Sequence, residues 1–169
     1  MASWGNCDFR QLQNLRDQLG RLQGAELDRF CTSVSKELAA RLLALVIPKT
    51  PVGKYKRGSG KKGGTLRRGW TARTEAEAKG GRGTGTRGAK AYADALPVTK
   101  QGGIYTVEVI NPVHYASYVE FGHRKRGGNG WVPGQYFLTI SERELQQMAP
   151  RVIEQKLRRY LREAMGGNG

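Results

Sequence analysis

With 169 residues, 38% of them hydrophobic, and 24 glycines, the chain has the length of one domain and little core material to spare. Twenty-nine Lys/Arg against 14 Asp/Glu leave a formal charge of +15, a balance that draws a protein toward polyanions, either nucleic acid or an acidic protein surface. No apolar run nears the ~20 residues that span a bilayer, the start has no signal-peptide apolar core, and Cys7 and Cys31 lack metal-ligand spacing. A reduced, cytoplasmic chain with no membrane partner is expected.

The charge is unevenly placed. Residues 49–100 hold fourteen Lys/Arg against three Asp/Glu, whereas residues 1–48 hold six against five and residues 101–169 nine against six. In chain order, Asp8 can cap a first short helix carrying Phe9, Leu12, Leu15 and Leu19 at helical intervals. Gly24 introduces a longer helix whose stripe is Leu27, Phe30, Val34, Leu38, Leu42 and Leu45, ended by Pro48. Thr50-Pro51-Val52 reads as extended. Residues 53–64, GKYKRGSGKKGG, show no periodicity and almost nothing to bury. Leu66 to Ala78 alternates like a strand, with Trp70 as its core anchor. Residues 79–90, KGGRGTGTRGAK, form a second basic loop, and Tyr92 to Val98 adds a short strand or a turn. Neither loop can offset the entropy of its own ordering, about 1–2 kcal/mol per residue, so both should be mobile until they dock.

The stretch from Ile104 to Trp131 organises the rest. Ile104 to Ile110 is β-branched or aromatic with Glu108 its only charge, a strand that Asn111-Pro112 terminates. Tyr115, Tyr118, Val119 and Gly122 then follow helical spacing. Gly122 sits where a helix C-cap needs positive φ, and His123-Arg124-Lys125-Arg126 follows as a basic loop. Trp131-Val132-Pro133-Gly134 reads as another turn, and Tyr136, Phe137, Leu138 and Ile140 lead into a C-terminal helix. Ser141 and Glu144 have the spacing of a capping box. Its apolar stripe runs Leu145, Met148, Val152, Ile153, Leu157, Tyr160 and Leu161, with Pro150 expected to kink or restart it and residues 166–169 a frayed end. The expected fold is α+β, a single domain over 1–169. Its N-terminal helices and C-terminal helix pack on a small, mostly antiparallel sheet from which two long Gly/Lys-rich loops project.

Signals for catalysis are poor. His114 and His123 have no second ligand at metal spacing, Glu108 and Glu120 are lone acids suited to the surface or to a salt bridge, and Ser117 lacks a His-plus-acid context. GSGKKGGT at 58–65 fails the G-x-x-x-x-G-K-[ST] phosphate-loop pattern. No enzyme, cofactor or metal site is expected. Nucleic-acid binding competes seriously. Lys54, Tyr55, Lys56, Arg57, Lys61, Lys62, Arg67, Arg68, Arg82 and Arg87 could track phosphates without base specificity, making the 53–90 segment the basis of a non-specific nucleic-acid binder.

Residues 111–138, NPVHYASYVEFGHRKRGGNGWVPGQYFL, resemble the Y-A-x-Y-V-E-x-G-H and W-V-x-G-x-x-x-L segments of the tail-completion (neck, or head–tail joining) protein family of long-tailed bacteriophages. That family's upstream T-P-V-x-T-G-x-L-R-x-S-W segment looks present but split, into Thr50-Pro51-Val52 and Thr65-Leu66-Arg67-Arg68-Gly69-Trp70, with the Lys/Gly run between the halves. The resemblance covers roughly Leu27 to Met165. It implies a subunit of a hexameric ring in the virion, assembled in the host cytoplasm, whose partners are portal/adaptor proteins on one side and a tail-tube or tail-terminator protein on the other. Genomic DNA would pass through the channel. On that reading the interface candidates are Tyr55, Lys56, Arg57, Lys61, Lys62, Arg82, Arg87, His123, Arg124, Lys125 and Arg126. Trp70, Tyr115, Tyr118 and Trp131 are the expected structural core, with the tyrosine segment either a hinge of the fold or simple packing.

Overall fold

The computed structural model describes residues 24–166. The helix expected at residues 8–19, Cys7 and the last three residues lie outside them. Gly24, at φ 78°, opens α1 (Ala25–Lys49), whose first turn carries Glu26 and Asp28, where acids suit the positive end of the helix dipole. Its buried residues are Val34, Ala39, Leu43, Val46 and Ile47, a face turned from the expected stripe. Leu27 is exposed, and Leu38, Leu42 and Leu45 are only half-buried. The shift follows from packing on two sides, because α4 (Ala89–Ala95) and the long C-terminal helix α6 (Phe137–Gly166) both lie against α1. Pro48 falls in the last turn of α1, one residue before its end. The missing N–H falls in the last turn, where only one bond is lost, and the helix ends at Lys49.

The fully buried Thr50 then joins two elements. Its hydroxyl donates to the Val46 carbonyl at 2.7 Å and accepts from the Trp70 indole N–H at 2.8 Å. Trp70, 2% exposed, meets Phe137 edge-on, with centroids 6.2 Å apart. Around this pair gather Leu43, Val46, Ile47, Leu66, Ala78, Ala93 and Val113.

The strand expected over Leu66–Ala78 is two short helices, α2 (Thr65–Gly69) and α3 (Glu75–Lys79). Leu66 and Trp70 are four apart, so a helical turn buries both, as alternation would. Thr74 caps α3 by accepting from the Glu77 N–H at 3.2 Å, and the Glu77 carboxylate accepts from the Arg73 N–H at 2.8 Å. The basic stretch 79–90 is likewise partly helical, with a 3-10 turn at Gly85–Gly88 leading into α4. Four alanines in AKAYADA favour that helix where a strand or turn was expected. Residues 53–64 carry no regular structure.

The architecture is α+β, its strands paired as two separate antiparallel ribbons. In the first, β1 (Thr99–Gln101) pairs with β2 (Ile104–Thr106) through Gly102 and Gly103, both at the positive φ that a two-residue hairpin turn requires. The ribbon leans on α1, where Asp28 accepts from Lys100 at 2.6 Å and from the Tyr105 hydroxyl; these bonds, Lys100 first, hold the Asp28 carboxyl below its ordinary range. Pairing stops at Thr106 and residues 107–113 carry no regular structure, so only part of the expected 104–110 strand forms. The second ribbon pairs β3 (Gly122–Arg124) with β4 (Trp131–Pro133).

The C-terminal helix begins at Phe137, four residues before the expected cap. Ser141 is therefore inside it, buried, with its hydroxyl donating to the Phe137 carbonyl at 2.7 Å. Glu144 instead pairs with Lys49 at 2.8 Å, and the helix continues through Pro150 without restarting. The Thr50–Trp70 bond should be worth measuring by urea unfolding. Thr50→Val and Trp70→Phe are each expected to cost about 1–3 kcal/mol, and the double variant less than their sum, because Thr50→Val leaves the buried Trp70 N–H unpaired and Trp70→Phe removes that N–H.

Candidate interaction surface

One short helix, α5 (Ala116–Phe121), adjoins both the 53–64 loop and the second ribbon, which begins at Gly122. It ends as the sequence predicts, with Gly122 at φ 87°. Any Cβ on Gly122 would overlap the Val132 carbonyl and press on the Trp131 indole, so only glycine lets the chain turn directly into β3 beneath β4. His123–Arg126, expected as a basic loop, thus begins as a strand. Residues 131–133, expected as a turn, are its partner, with Arg124 opposite Trp131 and His123 opposite Val132. The β-branched and aromatic residues of WVP suit that edge.

The base of this hairpin is closed by Glu120, which the sequence places among lone surface acids and the structure buries to 3% exposure. Its carboxylate accepts from the Leu138 N–H and the Thr139 N–H, each at 2.9 Å, and from the Thr139 hydroxyl at 2.7 Å. Those amides belong to the first turn of α6, which has no intrahelical acceptors for them and carries the positive end of the dipole. The backbone repeats the link. The Gln135 N–H donates to the Val119 carbonyl and the Tyr136 N–H to the Glu120 carbonyl. Tyr136 is held at φ 50°, unusual for a residue with a side chain.

Beside α5, Val52 and the loop residues Gly53, Tyr55 and Lys62 line a shallow cavity of about 290 Å3 together with Tyr115 and Val119. Burial, with a contribution from Tyr55, pushes the Tyr115 hydroxyl above its ordinary pKa. The loop and the hairpin therefore adjoin the same helix. Tyr55, Lys56, Arg57, Lys61 and Lys62 are exposed, as are His123, Arg124, Lys125 and Arg126. Among the described residues none of these cations is in an ion pair. Arg82 and Arg87 are exposed on the other basic stretch, Arg87 within the 3-10 turn. Of the four residues expected in the core, Trp70 is buried and Tyr115 packs partly against the core. Tyr118 and Trp131 are each 57% exposed, at the surface of the isolated chain. Tyr118 turns outward beside His123, ring centroids 6.0 Å apart, and Trp131 lies along the outer face of the hairpin base.

Other basic residues of the middle segment act internally. Arg67 donates to the Pro48 and Thr50 carbonyls, Arg68 to the Ala78 and Gly63 carbonyls, and Lys79 and Lys90 pair with Glu75 and Asp94. Glu75 also accepts from the His114 backbone N–H at 3.2 Å and meets its Nδ1 at 2.9 Å. Hydrogen bonds from Lys79 first, then His114, hold its carboxyl at about 2 instead of the ordinary 4.5. Among the described residues no group of three or more His, Cys, Asp or Glu could hold a metal ion, and no helix is long and apolar enough to cross a membrane.

Residues 13–122 match the HK97-gp10-like family, described as "Bacteriophage HK97-gp10, putative tail-component", and the chain belongs to that family. It is thus a phage tail component and so part of the virion, in keeping with the tail-completion resemblance. The match ends at Gly122, where the hairpin begins. No curated protein and no solved structure matches the chain.

Two substitutions test the site's supports. Glu120→Ala is expected to cost about 1–3 kcal/mol in urea unfolding and to speed amide exchange at Leu138 and Thr139, with Glu120→Gln milder because one acceptor survives. Glu75 has a folded pKa below its unfolded one, so its pairing adds stability present above about pH 4.5 and lost as pH falls through about 2. Glu75→Gln should flatten that part of the curve of urea midpoint against pH.

Proposed function

We propose that this tail component is the ring-forming subunit of the head–tail joint, completing the tail and docking it to the portal and its adaptor (head-completion) proteins. Six copies close around the passage for genomic DNA, with a tail-tube or tail-terminator protein on the opposite side. Assembly takes place in the host cytoplasm, and the product remains in the neck of the virion.

The observation that carries this reading is the placement of exposed apolar side chains on separate elements. Ile104 lies on β2 and Ile110 just before the Asn111-Pro112 corner, while Ile153 and Leu157 lie one turn apart on α6. A closed ring of identical subunits needs two different complementary patches on each copy, and large apolar residues left in water mark contact surfaces. Membership of a phage tail-component family supplies the setting. The exposed 53–64 loop, whose glycines and lysines bury almost nothing, is positioned to gain order when a neighbour covers it.

The full-length chain, concentrated alone or mixed with its tail-tube partner, is expected to form closed rings in negative-stain images and a matching mass by light scattering. Ile104→Asp together with Ile153→Asp should leave it monomeric with an unchanged circular dichroism spectrum. Wild-type protein that stays monomeric under every mixture would overturn the reading.

A further inference from the structure

We infer that the 53–62 loop and the β3–β4 hairpin, far apart in sequence, form one composite face that tracks the phosphate backbone of duplex DNA. The 53–90 stretch is not a continuous arm. Arg67, Arg68, Lys79 and Lys90 are committed to carbonyls and carboxylates within the subunit. What remains outward comes from two segments that both adjoin α5. The loop contributes Lys54, Lys56, Arg57, Lys61 and Lys62, and the hairpin contributes Arg124, Lys125 and Arg126 with His123 beside them.

Three observations favour DNA over an acidic protein. No Asp or Glu occurs between Thr50 and Thr74 or between Phe121 and Ser141; Glu120 is buried in its own cap, and Glu75, close enough to act on Tyr115, is paired with Lys79 and His114. Both segments are therefore of a single sign, as a polyelectrolyte demands. Half of their eight Lys/Arg are loop lysines, a residue type depleted at protein–protein interfaces but suited to phosphates as a mobile point charge. The hairpin is a two-stranded ribbon, which the major groove of duplex DNA admits. In the last pair before its turn, Arg124 stands cross-strand from the exposed Trp131. The binding would be sequence-independent. It rests on the head–tail reading for the source of the DNA, not for the geometry.

The test titrates the full-length chain into a labelled mixed-sequence DNA duplex, by fluorescence anisotropy, over a series of salt concentrations. One variant changes the five loop cations to glutamine, and another changes Arg124, Lys125 and Arg126 to glutamine. Each is expected to bind about tenfold or more weakly and to show a salt slope shallower by about 0.9 for every phosphate that is no longer neutralised. A control changing the exposed Arg143, Arg151 and Arg162 of α6 to glutamine should stay within about twofold of the parent, with the same slope. Equal losses in all three variants, or none in the first two, overturn the inference. Loop or hairpin variants that bind duplex normally but no longer join tail or adaptor proteins assign the face to an acidic protein, which also overturns it. Negative-stain imaging of the same proteins separates the two ideas. Rings whose duplex affinity ignores both segments sink this inference alone, whereas a parent that forms no rings yet needs both segments for duplex sinks only the ring.

Discussion

The carboxylate of Glu120 at the start of α6 is the constraint on which the functional end of the molecule depends. A thirty-residue helix begins there with amides that have no partners of their own, and a buried charge from another element satisfies two of them. Because Glu120 lies near the end of α5, the same contact fixes where the hairpin leaves and where it returns. Gly122 opens the exit, and the Gln135 and Tyr136 amides close the return onto α5 carbonyls. The left-handed Tyr136 is retained in that frame, a local cost of order 1–3 kcal/mol that the surrounding bonds hold in place. The hairpin is thus a braced projection and not a loop.

Charge is divided by position and not by residue type. Arginines 67 and 68 lie on a short helix next to the core and use their forked donors on carbonyls that would otherwise be poorly satisfied. A few residues earlier, lysines on a glycine-rich run have nothing within reach and stay in water. The +15 balance therefore overstates what a partner meets across the middle of the chain, and understates how concentrated it is around α5.

Much of this was legible from residue patterns. The long N-terminal helix, the first half of the 104–110 strand, the short helix and the positive φ at Gly122 follow from spacing and local chemistry. Failures have identifiable physical origins. Leu66 and Trp70 satisfy period two and a helical turn equally, so alternation misassigned the segment, although Thr74 and Glu77 carried a capping signal that could have corrected it. The alanines of 89–95 were outweighed by the glycines before them. Glu120 had no sequence partner to betray its burial, since the donors it accepts from are main-chain amides eighteen and nineteen residues on. Tyr118 and Trp131 are large and aromatic, which says that they bury area somewhere but not whether within this chain or against another.

The manner in which the 53–64 stretch is fastened has an evolutionary consequence. Its two ends are locked together by Arg67 on the Pro48 and Thr50 carbonyls and by Trp70 on the Thr50 hydroxyl, all outside the stretch itself. Lengthening a flexible segment between fixed ends costs only about 0.6 kcal/mol for each doubling. Insertions and deletions here are therefore nearly neutral for folding, and a lineage can vary the reach of this arm to suit a new neighbour while the rest of the subunit stays unchanged.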